Sequence, residues 1–215
     1  MLQKSAVEKT VYELLIKIMN DKKFHNFYLV GGTSIALRIG HRISIDLDLF
    51  TRDSIDTNIL RSHLTQFYNF KSSFESKNTL KGLIGDVFVD FITYDYPLIK
   101  DIENYENRKI RMLSLEDVIA MKLSAIIDNG TRIKDFVDIA YLSTQYSLNE
   151  MMSFYVQKYE GVNLLSPVKA LLYFADIDYE TETVQLIGES FDWHKIENRL
   201  VEMVRTPSKV FSINP

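Results

Sequence analysis

The chain has 215 residues, of which 46% are hydrophobic and 12% are aromatic, so it can bury the core of one domain or of a catalytic half and a helical half. Its formal net charge of −4 gives no overall attraction to nucleic acid, which argues against a large RNA footprint but not against a local basic patch. The lack of cysteine and of a signal-peptide pattern predicts a reducing cytoplasm, and no apolar stretch is long enough to cross a bilayer.

Three elements are predicted first along the chain. A helix over Ser5–Met19 is followed by the apolar run Phe27–Val30, which has the length and composition of a short strand. Two glycines end this run, and a helical pattern then covers Thr33–Ile39 and closes at Gly40. The order predicts a strand, a tight turn and a helix.

The turn contains Gly31, Gly32, Thr33 and Ser34. Backbone N–H groups of a glycine turn at a helix N-terminus can hold an anion, and the two hydroxyls can cap the helix or donate to a phosphate oxygen. A purely structural turn, with Thr33 as an ordinary N-cap, is the alternative that this segment alone would favour.

Apolar and acidic residues alternate after the second helix, which predicts a strand. The period of two puts Ile45, Leu47 and Leu49 on one face and the carboxylates of Asp46 and Asp48 on the other. Neighbouring carboxylates repel each other unless water or a cation compensates them, and Mg²⁺ takes oxygen ligands of this kind. A solvated polar face on an edge strand is the alternative, and the glycine turn one helix upstream weakens it.

The segment GGTSIALRIGHRISIDLDLF, from Gly31 to Phe50, resembles the signature of the polymerase-β-like nucleotidyltransferase superfamily. Its form Gly-His-Arg-x-Ser-x-Asp-x-Asp-Leu-Phe is similar to the AbiEii/AbiGii branch, which supplies toxins of type IV toxin–antitoxin and phage-abortive systems and shares its core with the MenT toxins. The resemblance implies an α+β fold, in which a nucleotidyltransferase core with a mixed sheet and flanking helices precedes a mainly helical C-terminal part.

The following elements are a helix over Thr57–Tyr68 and several β segments over Lys71–Tyr94. The superfamily carries a third carboxylate on a strand beside the Asp-x-Asp strand, and Asp90 is the candidate here. An isolated Asp in an apolar strand is costly unless it is paired or near a metal, and the apolar Phe88 and Ile92 share its face. A solvated position on a half-buried strand is the alternative.

A domain boundary is expected where Pro97 and charged residues interrupt the pattern, which gives a core domain of residues 1–100 and a helical domain of residues 101–215. The helical domain is expected to contribute to the active-site cleft. Its first helix opens at Ser114 with a pattern like a capping box, and Lys122 falls on the apolar stripe of that helix. An inward ammonium needs an anionic partner, whereas a Lys that snorkels to solvent is an equally good explanation.

A further helix is predicted after Asn129-Gly130, with Asp135 and Asp138 on one side because they are three residues apart. The set that resembles the family's second sequence block is Lys122, Arg132, Lys134, Asp135 and Asp138. Surface ion pairs with the two aspartates would explain Arg132 and Lys134 without any function. The resemblance implies functional roles for Lys122 and Asp138.

The sequence offers three further candidates for contact with a ligand. His41 and Arg42 lie between the glycine helix and the Asp-x-Asp strand, and the planar guanidinium of Arg42 suits phosphate oxygens, whereas a lone His usually has no special role. Trp193 is expected to pack rather than to stack on a base. The candidates for a basic patch, which ordinary solvated charges would also explain, are Lys77, Lys81, Arg108, Lys109 and Arg111.

The residues and the resemblance together predict an enzyme that transfers a nucleoside monophosphate from an NTP to an acceptor hydroxyl and releases pyrophosphate. A two-metal Mg²⁺ site would use Asp46 and Asp48, with Asp90 as a further ligand or as the group that activates the nucleophile. The predicted nucleotide-binding residues are Gly31, Gly32, Thr33, Ser34, Arg42 and Lys122. Lys122 would offset charge on pyrophosphate, and Asp138 would orient Lys122 or a metal-bound water.

The resemblance also implies the 3′ end of a tRNA as acceptor, growth arrest as the outcome, and an AbiEi-like antitoxin as partner. One alternative keeps the chemistry but uses a small hydroxylated acceptor such as an aminoglycoside. The other alternative is a catalytically silent protein that binds a nucleotide or a partner and keeps the fold.

Overall fold

A computed structural model describes residues 1–107, 109–180 and 183–215 of the chain. These residues divide into two compact units. The N-terminal unit comprises Met1–Tyr96 and Asp101–Leu113, and the C-terminal unit comprises Pro97–Lys100 and Ser114–Pro215. The main boundary therefore lies after Leu113 rather than after residue 100.

The N-terminal unit, over the residues described, contains three α-helices and seven strands. The helices are α1 (Lys9–Asn20), α2 (Gly31–Ile39) and α3 (Thr57–Tyr68). The strands are β1 (Tyr28–Val30), β2 (Leu47–Thr51), β3 (Lys71–Ser76), β4 (Thr79–Ile84), β5 (Val87–Thr93), β6 (Glu103–Tyr105) and β7 (Ile110–Met112). The helix expected from Ser5 begins at Lys9 instead, after a short 3₁₀ turn over Lys4–Ala6.

The strands form one mixed sheet in the order β3-β4-β5-β2-β1-β7-β6. The central strand β2 is antiparallel to β1 and parallel to β5. A mixed sheet with flanking helices confirms the α+β class expected from the sequence. The Asp-x-Asp segment thus lies in the middle of the sheet and not at its edge, which excludes the edge-strand alternative for Asp48.

One face of the sheet carries the core of the N-terminal unit. Leu49 of β2 and Phe91 of β5 are fully buried and cluster with apolar side chains of α1 and α3, such as Leu15 and Leu64. Each such side chain contributes about 1.5–3 kcal/mol when it leaves water. The opposite face carries Asp48, which is half-buried. The period of two in β2 therefore separates a buried face from a partly open one.

The hairpin of β6 and β7 was not foreseen from the sequence, because strands of three residues are too short for a recognisable period. It is tied to the rest of the unit through Arg111, whose guanidinium donates hydrogen bonds to the carbonyls of Met19, Phe24 and Phe27 at 3.1, 2.9 and 3.0 Å. Burial lowers the pKa of Arg111. These bonds explain why residues 101–113 belong with the sheet.

The C-terminal unit is mainly helical, as expected. Its helices over the described residues are α4 (Leu115–Asp128), α5 (Ile133–Leu142), α6 (Leu148–Lys158), α7 (Leu165–Leu171) and α8 (Trp193–Arg205). Ser114 caps α4, since its hydroxyl accepts from the Asp117 N–H at 3.1 Å. No helix in the described part of the chain combines the length and the apolar character needed to span a membrane.

A buried carboxylate organises the start of the C-terminal unit. Asp117 is fully buried and accepts hydrogen bonds from the N–H groups of Ile99 and Lys100 at 3.0 and 3.2 Å. The carboxylate of Asp117 also accepts from the hydroxyl of Ser114 at 2.6 Å and from the ammonium of Lys158 at 2.7 Å. The same ammonium donates to the carbonyl of Pro97 at 3.0 Å. The ion pair therefore fixes the segment Pro97–Lys100 to the helices that follow it in the chain.

We expect Lys158→Ala to lower the free energy of unfolding by about 3–5 kcal/mol, because it leaves the carboxylate of Asp117 buried without its counter-charge. The measurement is urea denaturation followed by circular dichroism. Lys169→Ala, which removes an exposed Lys of α7, is the matched control and should change stability by less than about 0.5 kcal/mol. A Lys158→Ala protein as stable as this control would contradict a structural role for the pair.

Candidate active site

Strand β1 leads directly into α2, since β1 ends at Val30 and α2 begins at Gly31. Gly31 has a φ of +67°, a conformation that L side chains rarely adopt. A Cβ built on Gly31 would lie 2.1 Å from Oδ2 of Asp48 and 3.0 Å from its Cγ. The carboxylate of Asp48 thus lies directly against the turn, and only glycine leaves room for it.

The hydroxyls of Thr33 and Ser34 have partners within the turn and its surroundings. Thr33 donates to the carbonyl of Asp46 and is 2.8 Å from the hydroxyl of Ser44, while Ser34 donates to the carbonyl of Gly31 at 2.9 Å. Both side chains are buried. Thr33 is not the N-cap, because the helix begins two residues earlier and Val30 takes that position. The groups that this turn offers to an anion are therefore the N–H groups of its backbone, which have no intrahelical partners in the first turn.

The strand that carries the two carboxylates begins at Leu47, later than expected. Leu47 is buried and Asp48 is half-buried, as the alternation predicts. Ile45 is 46% exposed, so its expected place on the buried face is wrong because it precedes the strand. Asp46 also precedes the strand and is half-buried, and its backbone is held by the bond from Thr33.

Asp90 lies beside Asp48 across the sheet. The two residues are register partners on the parallel strands β5 and β2, and neighbouring strands are about 4.8 Å apart. On its other side Asp90 pairs with Lys81 of β4, whose ammonium is 2.5 Å from Oδ2. Phe88 is 56% exposed, so the expected burial of the Asp90 face is wrong. The ion pair with Lys81 explains how this strand carries an Asp.

The carboxylates are suitable ligands for Mg²⁺. Within residues 1–107, 109–180 and 183–215, no three His, Cys, Asp or Glu side chains are grouped so as to hold a metal by themselves. Magnesium commonly binds through one or two carboxylates together with substrate phosphates, and it keeps several waters. The oxygen donors of Asp48 and its neighbours lie next to a turn whose N–H groups have no intrahelical partners, and this arrangement fits that mode of binding.

His41 and Arg42 follow α2 and are both buried. The guanidinium of Arg42 donates to the carbonyl of Ile43 at 3.3 Å. Direct contact of Arg42 with a nucleotide stays a prediction.

A second charged cluster lies in the C-terminal unit. Lys122 of α4 is 2.5 Å from Oδ1 of Asp135 and 2.8 Å from Oδ2 of Asp138, both on α5. All three side chains are at least nine-tenths buried. The expected anionic partner of Lys122 is therefore confirmed, and the snorkelling alternative is wrong. Arg132 lies 3.9 Å from Asp135, which balances two carboxylates with two cations.

The role of Asp135 differs from the one that the sequence predicts. The pattern predicts a surface partner of the basic residues, whereas Asp135 is 1% exposed and makes the shorter contact with Lys122. The spacing of three between Asp135 and Asp138 was the available signal, because both residues then face the same neighbour.

The other sequence candidates have structural surroundings. Trp193 packs edge-on against Phe136, Phe174 and Tyr179, with ring centroids 5.4–6.1 Å apart, in agreement with the packing role expected for it. In the proposed basic patch, Arg111 binds backbone carbonyls and Arg108 lies outside the described residues. The guanidinium of Arg111 is therefore engaged within the N-terminal unit rather than in a basic surface.

The chain matches the family described as nucleotidyl transferase AbiEii toxin, type IV toxin–antitoxin system, over residues 13–86 and 82–207. The protein aq_aa25 of Aquifex aeolicus (strain VF5) is 32% identical over 178 residues, which cover 81% of this chain and 82% of that protein. The two segments of the family match include both charged clusters described above.

Three solved structures illustrate the similarity in fold. JHP933 from Helicobacter pylori has a TM-score of 0.56 at 16% identity and covers 97% of this chain and 94% of its own. MenT4, a nucleotidyltransferase toxin of Mycobacterium tuberculosis, has a TM-score of 0.53 at 15% identity, with coverages of 83% and 74%. The antibiotic-resistance factor ANT(2'')-Ia has a TM-score of 0.54 at 17% identity, with coverages of 70% and 92%. At these identities the similarity concerns the fold alone.

Because Gly31 contacts Asp48, we expect alanine to lower the free energy of unfolding more at Gly31 than at Gly85. Gly85 has a φ of +60° with nothing within 4 Å of a Cβ, so Gly85→Ala should cost only the backbone strain, about 1–2 kcal/mol. Gly31→Ala adds a collision with the carboxylate and should cost at least about 1 kcal/mol more. Chemical denaturation of both variants measures the difference.

A double-mutant cycle identifies the cause. If the extra cost arises from the Asp48 carboxylate, Gly31→Ala should cost less in an Asp48→Ala background, with a coupling of about 1 kcal/mol or more. Equal costs in the two backgrounds would mean that the turn and the carboxylate are independent.

Proposed function

The chain belongs to the AbiEii family of nucleotidyltransferase toxins and is a nucleotidyltransferase, and from this premise we propose that it transfers a nucleoside monophosphate to the 3′ end of tRNA with Mg²⁺ as cofactor. The observation that supports the proposal best is the contact between the glycine turn and Asp48. It brings N–H groups suited to phosphate oxygens next to a carboxylate suited to a divalent cation.

In this proposal the residues of the N-terminal unit have distinct tasks. Asp46 and Asp48 hold Mg²⁺, and the backbone of Gly31 and Gly32 orients the phosphates of the NTP. Bound Mg²⁺ supplies positive charge to the phosphate oxygens and to the attacking and leaving oxygens. Thr33 has a positioning task, because its bond to the Asp46 carbonyl fixes the segment that leads into β2.

Asp90 is proposed to receive the proton of the acceptor hydroxyl. Its register places it next to Asp48, so a hydroxyl held there would be near the phosphate bound by the turn. The ammonium of Lys81 lies 2.5 Å from Oδ2 of Asp90, so it has to move away before that oxygen can bind the acceptor hydroxyl. Lys81 therefore controls when Asp90 can act.

The cluster of the C-terminal unit is proposed to act on the leaving group. Lys122 offsets the negative charge that develops on pyrophosphate, and Asp138 orients its ammonium. Asp135 shares this orienting task, because it also binds the ammonium. These roles are supported by the family pattern and by the pairing of Lys122 within its own unit. Arg42 is proposed as a further ligand of the phosphates.

A toxin of this family requires a means of neutralisation, and we propose an AbiEi-like antitoxin as the partner. Modification of the tRNA 3′ end would block aminoacylation and thereby stop growth. The acceptor could instead be a small hydroxylated compound, and the experiment below separates the two acceptors.

The test is incubation of purified protein with total cellular RNA, Mg²⁺ and each α-³²P NTP in turn. We expect a labelled band of tRNA size with at least one NTP, and loss of at least about a hundredfold in rate for Asp48→Asn, because several kcal/mol of charge stabilisation are removed. Asp86→Asn is the matched control, since Asp86 is an exposed carboxylate in the turn before β5. Induced expression of the same variants in bacteria measures growth arrest in parallel.

Three results would contradict parts of the proposal. Full activity of Asp48→Asn would show that Asp48 is not the metal ligand that the proposal requires. Label on an aminoglycoside but not on RNA would replace the acceptor while keeping the chemistry. Nucleotide binding without any labelled product would favour the catalytically silent alternative.

A further inference from the structure

The face of the sheet opposite the core carries a row of side chains that ends at the candidate site. Successive register partners across the four strands β3, β4, β5 and β2 are Phe74, Lys81, Asp90 and Asp48. Register partners project from the same face of a sheet. We call this surface, with Phe88 two residues from Asp90 on the same face of β5, the open face.

Two aromatic rings of the open face are exposed to solvent. Phe74 is 52% exposed and Phe88 is 56% exposed in the whole chain, whereas Phe91, on the core face of β5, is fully buried. Phe88 lies on the interior strand β5 and Phe74 on the edge strand β3, so the two rings are on different strands of the same face. The chain therefore leaves Phe74 and Phe88 available to something that lies across the open face.

A β-bulge adds a positive charge to the same face. Lys71 and Phe74 are three residues apart on β3 and would project from opposite faces of a regular strand. The register shifts between Ser72 and Phe74, so Lys71 partners Leu83 and Phe74 partners Lys81. Both Lys71 and Phe74 consequently belong to the open face.

The acidic residue of β3 is directed away from this surface. Glu75 partners the buried Leu80, and its carboxylate is 3.1 Å from the guanidinium of Arg61 on α3, which packs against the core face. Two lysines and two phenylalanines lie on the open face beside the carboxylates, together with Leu83, which is the register partner of both Lys71 and Phe88. Aromatic rings that alternate with cations suit a single-stranded nucleic acid, because bases stack on rings and phosphates pair with ammonium groups.

The row also constrains where an acceptor can lie. Lys81 touches Asp90, and Asp90 is the neighbour of Asp48, so an acceptor that reaches these carboxylates from the β3 side passes over Lys81 and Phe74. A polycation such as an aminoglycoside would meet two lysines on this path. An anionic chain would be attracted to them and could draw Lys81 away from Asp90.

We propose that the open face binds the single-stranded 3′ end of an RNA acceptor, with bases stacked on Phe74 and Phe88 and a phosphate bound by Lys81. The inference rests on the proposed function for the identity of the site and adds to it the surface that selects the acceptor. Lys71 extends the anion path toward the edge of the sheet.

The test measures RNA binding without turnover. Fluorescein-labelled deacylated tRNA is titrated with the full chain, and anisotropy gives the dissociation constant. Phe74→Ala/Phe88→Ala should weaken binding roughly tenfold or more for each ring, in keeping with the usual effect of losing a base stack. Phe67→Ala is the matched control, because Phe67 is 55% exposed on α3 and is not on the open face; it should leave binding unchanged.

A second variant reports stacking directly. The chain has a single tryptophan, Trp193, in the C-terminal unit, so Phe88→Trp in a Trp193→Phe background places the only indole on the open face. We expect near-normal RNA affinity, since indole stacks on bases at least as well as phenyl, together with quenching of its fluorescence when tRNA binds. An RNA hairpin without a single-stranded end should quench much less.

The outcomes separate this inference from the proposed function. Weak RNA binding by the double alanine variant, with unchanged NTP and Mg²⁺ binding, supports the inference even if no transfer product is ever found. Unchanged RNA binding by that variant, or no RNA binding by the unaltered chain, overturns the inference even if NTP is turned over. In those two cases a protein partner on the open face would be the next hypothesis.

Discussion

The contact between the backbone of Gly31 and the carboxylate of Asp48 is the constraint on which the site depends. Because β1 and β2 are antiparallel and Val30 is the register partner of Asp48, the turn that follows β1 must pass the acidic side chain of β2. A positive φ directs the chain into α2 at once, and the missing side chain leaves room for the carboxylate. One segment of about twenty residues therefore places a turn suited to an anion in contact with a strand whose carboxylate suits a cation.

Charge compensation explains how both units tolerate their acidic residues. In the N-terminal unit, Asp90 is paired with Lys81, and both are partly exposed, so the pair can open at little cost. In the C-terminal unit, Lys122 and its two aspartates are buried, so that cluster is held together by the cost of leaving any member alone. The first arrangement suits a group that must change partners during a reaction. The second suits a group that must stay in place.

Much of the fold near the site could be predicted because its signals are local. The alternation of Leu47, Asp48 and Leu49 and the glycine at the C-cap of α2 act within a few residues, and both were found in their expected places. The failures concern pairing between distant segments. The exposure of Ile45 depends on where β2 begins, the strands β6 and β7 exist only as part of the sheet, and the burial of Asp135 depends on which helix faces it. A single sequence contains no local period that encodes these contacts.

The sheet divides the work of binding between its centre and its edge. The central strands β1, β2 and β5 carry the glycine turn and the carboxylates, and their positions are fixed by register and by a buried core on one face. The hairpin β3–β4 carries Lys71, Phe74 and Lys81 and has a neighbour on one side only, since β3 is the edge strand. Substitutions on the open face of this hairpin alter few core contacts, so the proposed acceptor surface can change while the chemistry proposed for the centre of the sheet is kept.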